Sequence, residues 1–188
     1  MINGETETGV TLFEINERMD GGAIIAQVRV PIDLEDSITT VVDRVTQAYL
    51  LLLESQLTTL IAGCATRRPQ NESQASYTCR RLPDDNEIDW HAQTKTIYNL
   101  IRAVTTPYPG AFTWLEGKRL TIWKAQLPSS RRNYVGRVPG RVVEISPGKG
   151  VLVLTGDGSL LLEQVQLEGG QTVCSAELIR SLSTTLNG

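Results

Sequence analysis

The stretch LEDSITTVVDRVTQAYLLLLESQLTTLIAGC, residues 34–64, constrains this chain more than any other. Its apolar residues at 41, 42, 45, 49, 52, 53, 57, 60 and 61 keep helical spacing for about seven turns. Asp36 or Ser37 can cap the start, and Gly63 can end it. A helix with so wide an apolar face must pack on something, most simply the two strand-like runs before it. Those runs are TGVTLFEI (8–15) and AIIAQVRVPI (23–32), rich in β-branched and aromatic residues. Between them NERMDGG carries Asp-Gly and Gly-Gly, both strong turn signals. The pattern predicts strand, tight loop, strand and helix, with Asp20 at the loop tip.

Periodicity then stops. ATRRPQNESQASYTCRRLPDDNEIDW, residues 65–90, reads as a linker crossing a surface. HAQTKTIYNLIRAVT (91–105) places Ile97, Leu100, Ile101 and Val104 on one helical stripe. PYPGAF must stop that helix, because proline lacks an amide proton and restrains the residue before it. The remainder is β-rich, with strands expected at 111–115, 119–126, 138–146, 150–155 and 159–166. VLVLTGDGSLLLEQVQ reads as two strands around a hairpin turn. SAELIRSL reads as a short closing helix capped by Ser175. Five short strands and a terminal helix suit a small barrel of OB type or a small open sheet.

Composition excludes several classes. A chain of 188 residues, 40% hydrophobic and 21% charged, holds one ordinary domain or two small ones. A net charge of -3 gives no global basic field for nucleic acid or anionic lipid. The longest apolar run, YLLLL, is far too short to span a bilayer, and no leader pattern is present, so the expectation is a cytoplasmic protein without a membrane partner. Cys64, Cys79 and Cys174 lack CxxC spacing, which points to free thiols in a reducing cytosol and not to a metal site. His91 is the only histidine, at an expected helix start where a solvated or capping role is ordinary.

From spacing alone, Asp20 is an aspartate that stabilises its own turn. The pairs Arg67-Arg68, Arg80-Arg81 and Arg131-Arg132 could bind phosphates, although solvated surface charge is the ordinary reading. SPGKG and TGDGS match no phosphate-loop pattern and read as hairpin turns. The residues by themselves describe a two-part domain with an acidic loop.

Several stretches together say more. TGVTLFEINERMDGGAIIAQVRVPI resembles the aspartate-bearing segment of the folate-dependent formyltransferase family. PQNESQASYTCRRLPDDNEIDW, IYNLIRAVTTPYPGAFT, LTIWKA and TGDGSLLLEQVQLEG resemble that family's linker and C-terminal domain, in order. The resemblance implies an α/β architecture. Residues 1–66 would be the C-terminal part of a Rossmann-like catalytic domain (strand, loop, strand, helix), 67–90 a linker, and 91–188 a small OB-like β-barrel domain. Two branches fit: enzymes acting on nucleotide-linked amino sugars, notably UDP-4-amino-4-deoxyarabinose, and methionyl-tRNA formyltransferases. RRLPDD and RAVTTPYPGAF look closer to the sugar branch, since the tRNA branch more often has Trp at the position of Tyr108. Charge agrees, because from residue 131 onward six basic residues meet five acidic ones, a net of only +1, where gripping tRNA calls for a clear basic excess.

The resemblance also implies the chemistry. The donor would be 10-formyltetrahydrofolate, a co-substrate, with no metal, and the acceptor the amine of the sugar or of initiator methionyl-tRNA. The family uses an Asn as hydrogen-bond donor, a His as proton shuttle and an Asp that holds and polarises them. Asp20 aligns with that Asp. The loop backbone at Asn16, Glu17, Arg18 and Met19 would line the pterin pocket, and Arg80, Arg81 and Tyr108 would meet the acceptor. The family's Asn and His lie upstream of its aspartate, so the expectation is a C-terminal portion, truncated within the catalytic domain and inactive alone. Its first strand would offer an edge for a complementary N-terminal half or for self-association. The competing class is a non-catalytic OB-type binding module, with Tyr108, Trp114 and Trp123 as stacking residues.

Overall fold

The computed structural model describes residues 1–128 and 132–187. The chain divides into two compact units. The smaller comprises Glu5–Asp36 with Thr40–Arg80, and the larger Met1–Gly4, Ser37–Thr39 and Arg81–Gly188.

In the smaller unit, β1 (Glu7–Phe13) and β2 (Ile24–Pro31) form an antiparallel ribbon in register from Glu7↔Pro31 to Phe13↔Ile24. Alternation sorts its faces. Thr8, Val10 and Leu12 lie opposite Val30, Val28 and Ala26 on the apolar side. The other side carries polar pairs, with Arg29 on Glu7 at 3.1 Å and Gln27 on Thr11 at 3.0 Å. The long helix α1 (Ile38–Ile61) forms as its spacing predicts. Asp36 anchors its start. The carboxylate takes both terminal nitrogens of Arg44 (2.9 and 2.8 Å), the Asp33 amide (2.7 Å) and the Thr40 hydroxyl (3.2 Å), while Arg44 also donates to the Pro31 carbonyl. That joins the end of β2 to the first turns of α1.

The apolar face of α1 is covered only in part, with Val45, Leu52, Leu53 and Leu60 half-buried. Val41 is its one buried residue, and Val42, Tyr49, Leu50, Leu51, Leu57 and Ile61 are exposed. Two strands offer too little surface to cover seven turns of helix, and a lone hairpin is itself marginal in water.

The larger unit is built on a six-stranded antiparallel sheet. Its strands are β3 (Ala111–Leu115), β4 (Lys118–Gln126), β5 (Val142–Ser146), β6 (Gly150–Leu154), β7 (Ser159–Leu167) and β8 (Thr172–Cys174). The order is β3-β4-β7-β6-β5, with β8 on β7. Helix α2 (Thr94–Val104) buries Ile97, Ile101 and Val104 against this sheet, with Leu120, Ile122, Val151, Val153, Leu160 and Leu162 facing them in one core. The expected α2 begins later than its sequence stretch. His91 lies three residues before it in a turn and gives its amide to Asp89. The cap comes from elsewhere: Asp157, in the β6–β7 turn, accepts the amide (2.7 Å) and hydroxyl (2.8 Å) of Thr94.

Three other expectations shift. The strand expected at 138–146 spans only Val142–Ser146, because Gly140 turns the chain at a φ of +82°. The terminal helix α3 is only Ser175–Leu178, and Ser175 does not cap it. Its hydroxyl is drawn inward, accepting the Val151 amide and donating to the Leu162 carbonyl. The short β8 had no sequence signal.

The strand ladder is open from β3 to β5, and the chain end lies against both of these strands. Asn187 exchanges backbone bonds with Trp114 of β3 (2.9 and 3.2 Å), Val142 of β5 donates to Thr184 (3.0 Å), and Leu186 donates to Gly140 (2.8 Å). Leu186 is buried within the core. A side chain at Gly140 would meet the Leu186 carbonyl oxygen at 2.2 Å, so glycine is required there.

Candidate functional site

The loop between β1 and β2 is closed at its base by the Glu14 amide on the Ala23 carbonyl (3.0 Å). Asn16 shapes it from within. Its Oδ1 accepts the Arg18 amide at 2.9 Å, and its Nδ2 donates to the Gly21 carbonyl at 3.3 Å. Asp20 adopts a left-handed φ of +52°, a conformation that short polar side chains tolerate better than most. Gly22 admits no side chain, since a Cβ would lie 1.6 Å from the Glu14 carbonyl oxygen. These features explain why NERMDGG turns where it does.

The segment after α1 holds the loop from outside. Arg68 and Ile24 exchange both backbone bonds, so this segment runs beside β2. Arg67 reaches Glu14 at 2.6 Å, and Arg18 pairs with Glu72 at 2.9 Å. Gln70 spans the tip, its Nε2 donating to the Asp20 carbonyl at 2.5 Å and the Gly22 carbonyl at 2.8 Å. Among the described residues the Asp20 carboxylate and the amides of Glu17 and Met19 have no partner. Ile15 and Met19 are almost wholly exposed beside them. The tip thus presents a carboxylate, unpaired backbone donors and apolar side chains to solvent.

The residues expected at the acceptor lie in the two units. Arg81 donates through Nη2 to the Asp85 carbonyl and to Asn86 Oδ1, and the buried Asn86 reaches the Gly110 carbonyl at 3.3 Å. Tyr108 sits in the same turn, where Gly110 returns its amide to Val104 and the Thr106–Pro107 bond is cis. Tyr108 is 48% exposed. Asn86 thus ties Arg81 to Gly110, two residues after Tyr108, whereas Arg80 belongs to the smaller unit. The two tryptophans offered as stacking residues are engaged through their indole N–H, Trp114 with Glu87 and Trp123 with Gln166. Arg132 pairs with Glu144, and Arg131 lies outside the described residues. All three cysteines are free. Among the described residues no helix is long and apolar enough to cross a membrane. Gln70 and Glu72 had no signal in the sequence, because their partners lie about fifty residues off in the chain.

Residues 82–183 match the family described as formyl transferase, C-terminal domain, and residues 1–55 match that described as formyl transferase. The chain belongs to the formyl transferase family. Among solved structures, it resembles HypX from Aquifex aeolicus in complex with tetrahydrofolic acid, at 22% identity and a TM-score of 0.71, over 95% of this chain and 31% of that one. An N-formyltransferase from Helicobacter canadensis, bound to folinic acid and dTDP-3-aminofucose, matches at 22% identity and a TM-score of 0.67, over 86% of this chain and 57% of that one. Methionyl-tRNA formyltransferase from Clostridium thermocellum matches at 21% and 0.54, over 69% and 55%. At these identities the shared property is the mixed α/β fold. The chain spans about a third of the HypX chain.

Proposed function

We propose that this chain is the part of a formyl-transfer enzyme that supplies the catalytic aspartate, Asp20, and the domain that follows. In this reading residues 1–66 belong to a Rossmann-like catalytic domain, 67–90 form the linker, and 91–188 form an OB-like barrel that the terminal segment closes against β3 and β5. The observation that carries the reading is the clamped loop: a carboxylate without a partner, held at a left-handed residue between side chains fastened on both sides. A site meant only to stabilise a turn would spend that carboxylate on its own backbone.

The unpaired amides of Glu17 and Met19 fit the polar edge of a pterin, with the exposed Ile15 and Met19 against its face. The folate co-substrate, 10-formyltetrahydrofolate, would supply the formyl carbon. The acceptor amine bonds to it as the bond from that carbon to N10 breaks, and tetrahydrofolate leaves with N10 taking up the proton the amine gives up. Asp20 accepts a hydrogen bond from the imidazole that takes the amine's proton, which fixes the tautomer and raises that base's proton affinity. His91 is not read as that imidazole, since it follows Asp20 in the chain whereas the family resemblance puts the His before its aspartate. This chain alone therefore catalyses no appreciable transfer. The exposed apolar residues of α1 and the edge of β1 would receive a chain carrying the rest of the catalytic domain.

The proposed acceptor is the amine of a nucleotide-linked amino sugar, on the near-neutral charge of the region from residue 131 and on Tyr108 in its turn. The test pairs the purified chain with a separately produced formyl transferase N-terminal domain and offers 10-formyltetrahydrofolate with amino-sugar nucleotides or charged initiator tRNA. Formylation of a sugar nucleotide by the pair, and none by this chain alone, is the expected result. Turnover by the chain alone would refute the divided-site reading. Salt-sensitive use of tRNA would move the acceptor to the other branch. Tight binding of oligonucleotide with no transfer by the pair would favour a non-catalytic module.

A further inference from the structure

Gln70 sits in a stretch, RPQNES, that carries no periodicity, yet its side chain makes the most specific contact with the loop tip. One amide nitrogen has two protons, and here each is given to a carbonyl on either side of Gly21, at Asp20 and at Gly22. Those two carbonyls belong to the residue with the left-handed backbone and to the glycine that admits no side chain. The other ties to the loop are ion pairs between exposed groups, Arg18 with Glu72 and Arg67 with Glu14. Such pairs hold little and weaken with salt. A neutral amide bonding two backbone oxygens is insensitive to salt, and it fixes the peptide planes that aim the aspartate.

We propose that Gln70 is a positioning residue for Asp20, pinning the Asp20–Gly21 and Gly22–Ala23 peptide groups so that the carboxylate is presented at a fixed place above the loop. The proposal rests on the reading of Asp20 as the catalytic carboxylate. Its geometric half stands without it.

The experiment takes the 188-residue chain in three variants, Gln70→Glu, Gln70→Asn and Gln70→Ala, and measures two things. Glutamate keeps the size but has no proton to give and turns two attractions into repulsions. Asparagine keeps the donor but is one carbon short. Amide hydrogen exchange at Arg18 and Gly21 should quicken by about tenfold in Gln70→Glu and Gln70→Ala and by less in Gln70→Asn, with the helix amides of α2 unchanged as an internal control for folding. In the paired formylation assay, kcat should fall by about tenfold or more with KM for the amine within about twofold, since a shifted reacting group costs rate more than binding. Unchanged exchange at Gly21 in Gln70→Glu would overturn the clamp. Faster exchange with an unaltered kcat, while Asp20→Asn is inactive, would overturn the positioning role. Full activity in Asp20→Asn would instead sink the reading of Asp20, and the exchange result would show separately whether the clamp survives.

Discussion

The two compact units solve opposite problems. Among its described residues the larger buries twenty-one apolar ones, including Leu120, Ile122, Leu160 and Leu162, which are wholly inaccessible. The smaller buries four, Val30, Ile32, Val41 and Ala65, and leaves most of a 24-residue helix bare. Stability sits where the sheet, α2 and the chain end share one core, and the candidate chemistry sits where almost nothing is buried. A loop cannot be aimed by a core it does not have. The smaller unit aims its loop with hydrogen bonds instead, from Asn16 within and from Gln70 without.

Four measurements would break or sharpen that contrast. The largest effect is on activity: Asp20→Asn in the paired assay should lower formyl transfer by about a thousandfold. Its thermal melt should stay unchanged, because the side chain is exposed and unpartnered. A smaller but still large effect falls on the core. Leu160→Ala should cost about 2–5 kcal/mol in chemical denaturation, whereas Leu57→Ala on the exposed side of α1 should stay within about 0.5 kcal/mol. Equal losses at the two positions would erase the distinction between the units. Next, Asp157→Ala removes the carboxylate at the start of α2 and should cost about 1 kcal/mol, read from the same denaturation curves.

The smallest effect is a pH dependence in the smaller unit. Burial pushes the Asp36 carboxyl up, but the Arg44 guanidinium, the Asp33 amide and the Thr40 hydroxyl outweigh it and hold the group below the usual range. A value lower in the folded state than in the unfolded one gives stability that is present at neutral pH and lost as the pH falls below about 4. Denaturation followed by exchange at β2 amides should show that acid limb, and Asp36→Asn should flatten it. An acid limb of the same steepness in that variant would place its source elsewhere.

How much was legible follows from how far each cause reaches along the chain. The ribbon was legible because β-branched runs flank Asp-Gly and Gly-Gly, and the β6–β7 hairpin because GDG sits between apolar runs, with Leu154 opposite Ser159. The stripe on α2 likewise needed only its own eleven residues. The late start of α2 was not legible, because its capping carboxylate lies 63 residues away. The fate of Ser175 was equally remote, since its hydroxyl serves two strands and not its own helix. Asp20 was legible only as a turn residue with a family likeness. Gln70, which holds that turn from fifty residues on, was invisible.

By itself, then, the order of residues determined the local pieces: which stretches extend, which coil, where the chain must turn, and which carboxylate stands at the tip. It did so because backbone preference and apolar period act between neighbours. Only the tertiary structure decided that α1 leaves Val42, Tyr49, Leu57 and Ile61 exposed, that the chain end pairs with both β3 and β5, and that a glutamine after the helix pins the aspartate loop. Those outcomes depend on hydrogen-bond partners and buried surface contributed from distant segments, and no local window contains both halves of such a contact.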